Sequence, residues 1–163
     1  MSKSPERIAF ETELRKFAAS LKPESIVYDI GKSQVHDYRS WFEGQRYRTI
    51  DCNPAAGADI IADIEGDDLP SACTALVCNG VAEQCGDVAA MLRGCRSLIS
   101  LSGGVALFGI IGPGYPLMQG MDRVRLTPQG VRHYLTAAGF RIKDIVPVER
   151  GGVPSYSLVW CEV

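Results

Sequence analysis

The chain has 163 residues, 46% hydrophobic and 22% charged, which is the balance of one compact domain with its own core and not of a disordered or fibrous chain. A net charge of −2 with a pI of about 5.7 excludes a broad basic surface for nucleic acid. No apolar run reaches the roughly 18 residues that a membrane helix needs.

The start, M-S-K-S-P-E-R, lacks the apolar stretch of a signal peptide, so the cytoplasm is the expected location. Pro5 to Leu21 reads as a helix, capped by Ser4, with Ile8, Leu14, Phe17 and Leu21 at near-helical spacing. Lys22-Pro23 ends it. Ile26 to Ile30 is a short apolar strand bounded by Pro23 and Gly31, as suits a strand buried on both faces. Val35 to Phe42, aromatic at Tyr38, Trp41 and Phe42, is expected as a short helix. Tyr47 to Ile50 is a second strand, closed by the turn Asp51-Cys52-Asn53-Pro54. Ala58 to Ile64 is expected as a third strand, and Leu76 to Cys78, continuing from Ala75, as a fourth.

Asp87 to Arg93 is helical, with Val88, Met91 and Leu92 as its apolar stripe. Val105 to Ile110 is a strand, and Gly103-Gly104 is the turn ahead of it. Gly112 to Gly120 is a loop rich in glycine and proline. Thr127 caps a further helix with Pro128 in its first turn, Val131, Tyr134, Leu135 and Ala138 on its inner face, and Gly139 as its stop. Ile142 to Val148 and Ser155 to Cys161 flank the turn Gly151-Gly152-Val153-Pro154. Strands joined by so short a turn are antiparallel.

The stretch from Ser25 to Asp51 carries the strongest functional pattern. Two short strands each end near an acid, Asp29 before Gly31 and then Asp51, about one βαβ spacing apart. In an α/β protein such a unit places a small ligand at the carboxyl ends of the strands. An acid closing the second strand can accept hydrogen bonds from a ribose diol. The six cysteines (Cys52, Cys73, Cys78, Cys85, Cys95, Cys161) form no C-x-x-C pair or Cys/His cluster. Free thiols and no metal site are therefore expected.

The order of these pieces resembles the class I S-adenosylmethionine-dependent methyltransferases, and most of all the small bacterial type 11 and type 12 domains. V-Y-D-I-G (Val27 to Gly31) is similar to the family's V-L-D-x-G-x-G motif, with Lys32-Ser33-Gln34 where glycines usually follow. Y-R-T-I-D-C-N-P (Tyr47 to Pro54) resembles its second motif. G-A-D-I-I-A-D-I-E-G-D-D-L-P (Gly57 to Pro70) matches most closely. A-L-V-C-N-G-V-A-E-Q-C-G-D (Ala75 to Asp87) is similar to the family's fourth strand and its L-E-H-x-x-D segment, with Gln84 in place of the His. Asp122 to Phe140 resembles the family's D-Y-x-R-F-T-x-x-G-L…L-x-x-A-G-F run.

The resemblance implies an α/β, Rossmann-like class I methyltransferase sheet, mostly parallel with a C-terminal antiparallel hairpin strand. It implies a single domain over residues 1–163, with an N-terminal helix in 1–22 and a core in 25–163. The implied cofactor is S-adenosylmethionine, held by Asp29, Gly31, Asp51, Cys52, Asp63, Ile64 and Asn79, with Asp51 on the ribose and Asp63 and Ile64 by the adenine. The implied partner is a small-molecule or sugar-containing acceptor. A homo-oligomer or a partner protein stays open, and no catalytic residue is assigned.

Each of these residues also has a plainer reading. Gly31, Asp51 and the Asn79-Gly80 pair suit turns, and Asp63 can cap the acidic loop Glu65-Gly66-Asp67-Asp68. Glu83 is either a base toward a hydroxyl acceptor or a first-turn helix acid. His36 could line the pocket, His133 sits on the late helix, Tyr115 could close over an acceptor, and Arg123 and Arg125 could hold its phosphate or carboxylate. Two other functions remain in view. One is a non-catalytic relative that binds a partner after losing the glycine-rich turn. The other is a dehydrogenase-like nucleotide-binding domain, which the absence of G-x-G-x-x-G disfavours.

Overall fold

The computed structural model describes residues 3–33, 35–66, 68–99, 103–118, 120 and 122–163. Its elements, in order, are α1 (Pro5–Ser20), β1 (Ile26–Ile30), β2 (Arg46–Asp51), β3 (Ile60–Ile61), β4 (Ala75–Asn79), α2 (Val88–Leu98), β5 (Val105–Ile111), α3 (Pro128–Ala137), β6 (Arg141–Arg150) and β7 (Val153–Glu162). The strands form one seven-stranded sheet in the order β3-β2-β1-β4-β5-β7-β6. β1 pairs in parallel with β2 and β4, β2 with β3, and β4 with β5. β7 is antiparallel to both neighbours, lying between β5 and β6. Pro147 is accommodated because β6 is an edge strand, where a missing backbone donor costs little.

The central strands alternate between two cores. Leu76 and Cys78 of β4, with Ile30 and Ile50, meet Met91, Leu92 and Leu98 of α2 and Val131 and Leu135 of α3. Ala75 and Val77 face the other way, with Val27 and Leu107, against Phe10, Leu14 and Phe17 of α1. Burial on both faces is why these strands read as continuous apolar runs. On α1 the buried stripe includes Phe10, and Ile8 is exposed. The helix is also tied by polar contacts. The buried Glu6 accepts from Arg150 and from the Ser155 hydroxyl, and Trp160 donates to Glu13.

Two expected elements are shorter than their patterns. Val35 to Phe42 holds only a 3₁₀ turn, Arg39–Trp41. Ser33 Oγ accepts from the Val35 and His36 amides, and Asp37 accepts from the Arg39 amide. These side chains take the donors that a helix would need. The aromatic residues instead brace α1, with Tyr38 edge-on to Phe10 and Arg15 stacked 3.8 Å from the Trp41 ring centre. The third strand contracts to Ile60–Ile61, because the Asp59 carboxylate accepts from the Thr49 amide at 2.8 Å and replaces a ladder bond. α2, by contrast, runs past Arg93 to Leu98.

Candidate functional site

The carboxyl ends of β1, β2 and β4 open into a cleft of about 360 Å³. At the end of β1 the chain turns at Gly31 with φ +82°, and its amide donates to Ile50 O at 2.8 Å. A Cβ at Gly31 would stand 2.5 Å from Val81 Cγ2, so only glycine leaves the floor open between β1 and the loop after β4. At the end of β2, Asp51 Oδ2 accepts from the Lys32 amide at 2.9 Å and Oδ1 from the Asn53 amide at 2.8 Å. One carboxylate thus fixes both turns. With about four lone-pair sites on its two oxygens, it keeps two for a ligand. Ile50, Ile64 and Val81 supply apolar walls.

Six of the seven residues singled out in the sequence line this cleft: Gly31, Asp51, Cys52, Asp63, Ile64 and Asn79. Cys52 and Asp63 are exposed at its rim, and Asp63 Oδ1 also accepts from the Glu65 amide, closing the acidic loop. Gln34 and Asp67 lie outside the described residues. Asp29 stands apart. Alternation along β1 turns it to the α1 face, where it is buried and accepts the Tyr47 hydroxyl. Burial pushes its carboxyl up to about 7, despite the Tyr47 hydrogen bond and the charge of Lys32.

A second cavity of about 230 Å³ shares Asn79, Gly80 and Gln84 with the first. Its walls come from distant parts of the chain. α1 gives Phe10 and Arg7, β5 gives Ile111, the loop after β5 gives Tyr115 and Met118, and β7 gives Tyr156. The Tyr156 hydroxyl donates to Asn79 Oδ1 and fixes that amide at the junction. Gly109 makes this contact possible, since a Cβ there would lie 2.0 Å from the Tyr156 hydroxyl and 2.2 Å from Asn79 Oδ1. Sequence reasoning missed Tyr156, Phe10 and Met118. A glycine inside the apolar run of β5 was the one local sign of a close approach.

Glu83 also lines the second cavity and is 2% exposed. Burial, with a smaller contribution from the charge of Asp122, pushes its carboxyl up to about 7. Its backbone carbonyl accepts from the Arg123 and Val124 amides. Gln84 donates its side-chain amide to Gly80 O at 2.7 Å. Arg125 organises the loop, donating to the carbonyls of Gly112, Tyr115 and Pro116 and pairing with Asp122. That work replaces the anion contact considered for it. Arg123 lies beside Gly86 and Glu65. His36 and His133 are exposed and line neither cavity. Among the described residues, no group of three or more His, Cys, Asp or Glu is placed to hold a metal ion. No helix there is long and apolar enough to cross a membrane.

No family model and no curated protein sequence matches the chain. Solved structures do resemble it. An S-adenosylmethionine-dependent methyltransferase from Mesorhizobium loti superposes with a TM-score of 0.72 at 16% identity, over 94% of this chain and 97% of that one. The N-methyltransferase NodS from Bradyrhizobium japonicum, in complex with S-adenosylhomocysteine, gives 0.76 at 15% identity, over 99% and 89%. A Burkholderia thailandensis 1,6-didemethyltoxoflavin N1-methyltransferase, with that compound and S-adenosylhomocysteine bound, gives 0.67 at 16% identity, over 95% and 80%. These likenesses, with the 3-2-1-4-5-7-6 strand order and the single antiparallel strand, show that the chain has the Rossmann-like class I S-adenosylmethionine-dependent methyltransferase fold.

Proposed function

We propose that this chain is an S-adenosylmethionine-dependent methyltransferase acting on a small-molecule acceptor. The observation that carries the reading is the pair of adjoining cavities, which meet at Asn79 and Gly80 on the carboxyl end of β4. One suits a nucleoside-bearing cofactor and the other a compact acceptor. Two of the similar structures are N-methyltransferases holding S-adenosylhomocysteine, which supports the same reading.

The residues of the cleft fit such a cofactor. Gly31 keeps space that any side chain would fill. Asp51 presents its remaining lone pairs to the two hydroxyls of a ribose. Ile50 and Ile64 offer flat apolar contact to a purine. When bound, the cofactor supplies an electrophilic sulfonium methyl. The protein's part is to hold the acceptor atom in line and to keep water away, which is the larger share of such catalysis. The Asn79 amide, fixed by Tyr156, orients groups at the junction. Gln84, anchored to Gly80 O, borders both spaces.

Calorimetric titration with S-adenosylmethionine and S-adenosylhomocysteine tests this. Binding in the micromolar range is expected. Asp51→Ala should weaken it by about 1–3 kcal/mol, since two charge-assisted hydrogen bonds are lost. Absence of binding at millimolar concentration would end the enzyme reading. One observation favours a second reading, a non-catalytic relative that works with a partner protein. Lys32 lines the cleft where the family's turn carries glycine, adding bulk and positive charge beside the place of a sulfonium. The same titration decides between them.

A further inference from the structure

Among the described residues, the charged groups around the second cavity are paired, with one exception. Glu6 is held by Arg150 and Ser155, Arg7 by Glu11, and Arg125 by Asp122. Glu83 is buried, yet neither of its carboxyl oxygens accepts a hydrogen bond from any described residue. Its Oε1 lies 3.2 Å from where a Cβ of Gly80 would stand, so the carboxyl sits at the passage between the two cavities. A buried carboxyl without a donor is costly, and more so when ionised. A ligand that brings its own donor relieves that cost.

The rest of the cavity says what the ligand's body is. Phe10, Ile111, Met118 and the rings of Tyr115 and Tyr156 make walls suited to an apolar or aromatic group. The guanidiniums of Arg125 and Arg150 flank the Tyr115 ring at 5.7 and 5.8 Å, and their pairing with Asp122 and Glu6 commits their charge. An anionic acceptor would find no uncommitted counter-ion among these groups and would face Glu83. We propose that the second cavity is a binding site for a small amine with an aromatic or aliphatic body, whose nitrogen donates to the Glu83 carboxylate. Calling this amine the methyl acceptor rests on the methyltransferase reading of the adjoining cleft. The amine site itself does not.

Three probes with one ring and different polar ends test it: benzylamine, benzyl alcohol and benzoate. Each is titrated into ¹⁵N-labelled protein at pH 8, with and without S-adenosylhomocysteine, following the Gly80 and Tyr115 amide shifts. Benzylamine should bind at least tenfold tighter than benzyl alcohol, and benzoate more weakly still. Glu83→Gln should erase the preference. Equal binding of benzylamine and benzyl alcohol, or a preference that survives Glu83→Gln, would overturn the amine site. If the variant does not fold, the wild-type series decides alone. Cofactor binding without amine preference would sink this proposal and leave the methyltransferase reading intact. Amine preference without cofactor binding would do the reverse.

Discussion

A single methyl group at Gly109 would reach both the Tyr156 hydroxyl and Asn79 Oδ1. Gly109→Ala should therefore displace the side chains that define the junction of the two cavities. Overpacking of this kind costs about 1–3 kcal/mol. Thermal unfolding would register it as a fall of several degrees, and a variant as stable as the parent would show that the contact yields freely. Asp29 makes a different demand. Its folded-state pKa, about 7, is raised above the unfolded value of 3.8. The folded state therefore holds the proton more tightly, and this contribution is complete below pH 3.8 and lost as pH rises through about 7. Asp29→Asn keeps an acceptor for the Tyr47 hydroxyl and cannot ionise. Urea titrations should show the variant gaining on the wild type between pH 4 and pH 8, by a few kcal/mol at most. A gap that stays constant with pH would mean Asp29 is ionised in the fold. That Asp29 points away from the cleft follows from period-two alternation, since Val27 on the same face is core.

At the scale of elements, what was legible in the sequence depended on whether the determinants were local. β1, β4 and β5 begin and end within a residue or two of their apolar runs, because burial on both faces keeps them almost wholly apolar, Asp29 being the buried exception within β1. α3 carries its own punctuation, Thr127 accepting from the Gly130 amide and Gly139 at φ +90°. Where side chains compete with the backbone, as Ser33, Asp37 and Asp59 do, periodicity misleads. The first cavity was readable because its residues close consecutive strands. The second joins α1, β5 and β7, and no local pattern announces that meeting. α2 shows the same limit. Gly94 weakens it as an isolated helix, yet a Cβ there would stand 1.9 Å from Ile64 O. The helix runs through Gly94 because that face presses on the cleft wall. Gly94→Ala, which by propensity alone would stabilise the helix by about 1 kcal/mol, should instead destabilise the protein by 2 kcal/mol or more. A rise in melting temperature would refute the packing argument.

Across the whole molecule, the buried carboxyls of Glu6, Asp29 and Glu83 shape the response to pH. Glu6, paired with Arg150, is held down at about 2 from an ordinary 4.5, so its contribution is present above pH 4.5 and lost as pH falls toward 2. Glu83 and Asp29, both raised to about 7, work in the other direction. Stability should therefore peak in mildly acidic solution near pH 4 to 5, falling at lower pH and falling again as pH rises through about 7. A double variant, Asp29→Asn with Glu83→Gln, should flatten only the upper limb. A wild-type profile that rises steadily from pH 5 to 8 would contradict this. The placement of β7 has a consequence for how the chain reaches this state. β6 and β7 form a local hairpin around Gly151-Gly152, whereas β5 finds its second neighbour only when that hairpin arrives. Until then Val105–Ile111, almost wholly apolar, offers one bare edge of unpaired amides and carbonyls. Slow docking of the last hairpin thus turns the centre of the finished sheet into a template for intermolecular strand addition, so aggregation during refolding should grow with protein concentration even where the native fold is stable.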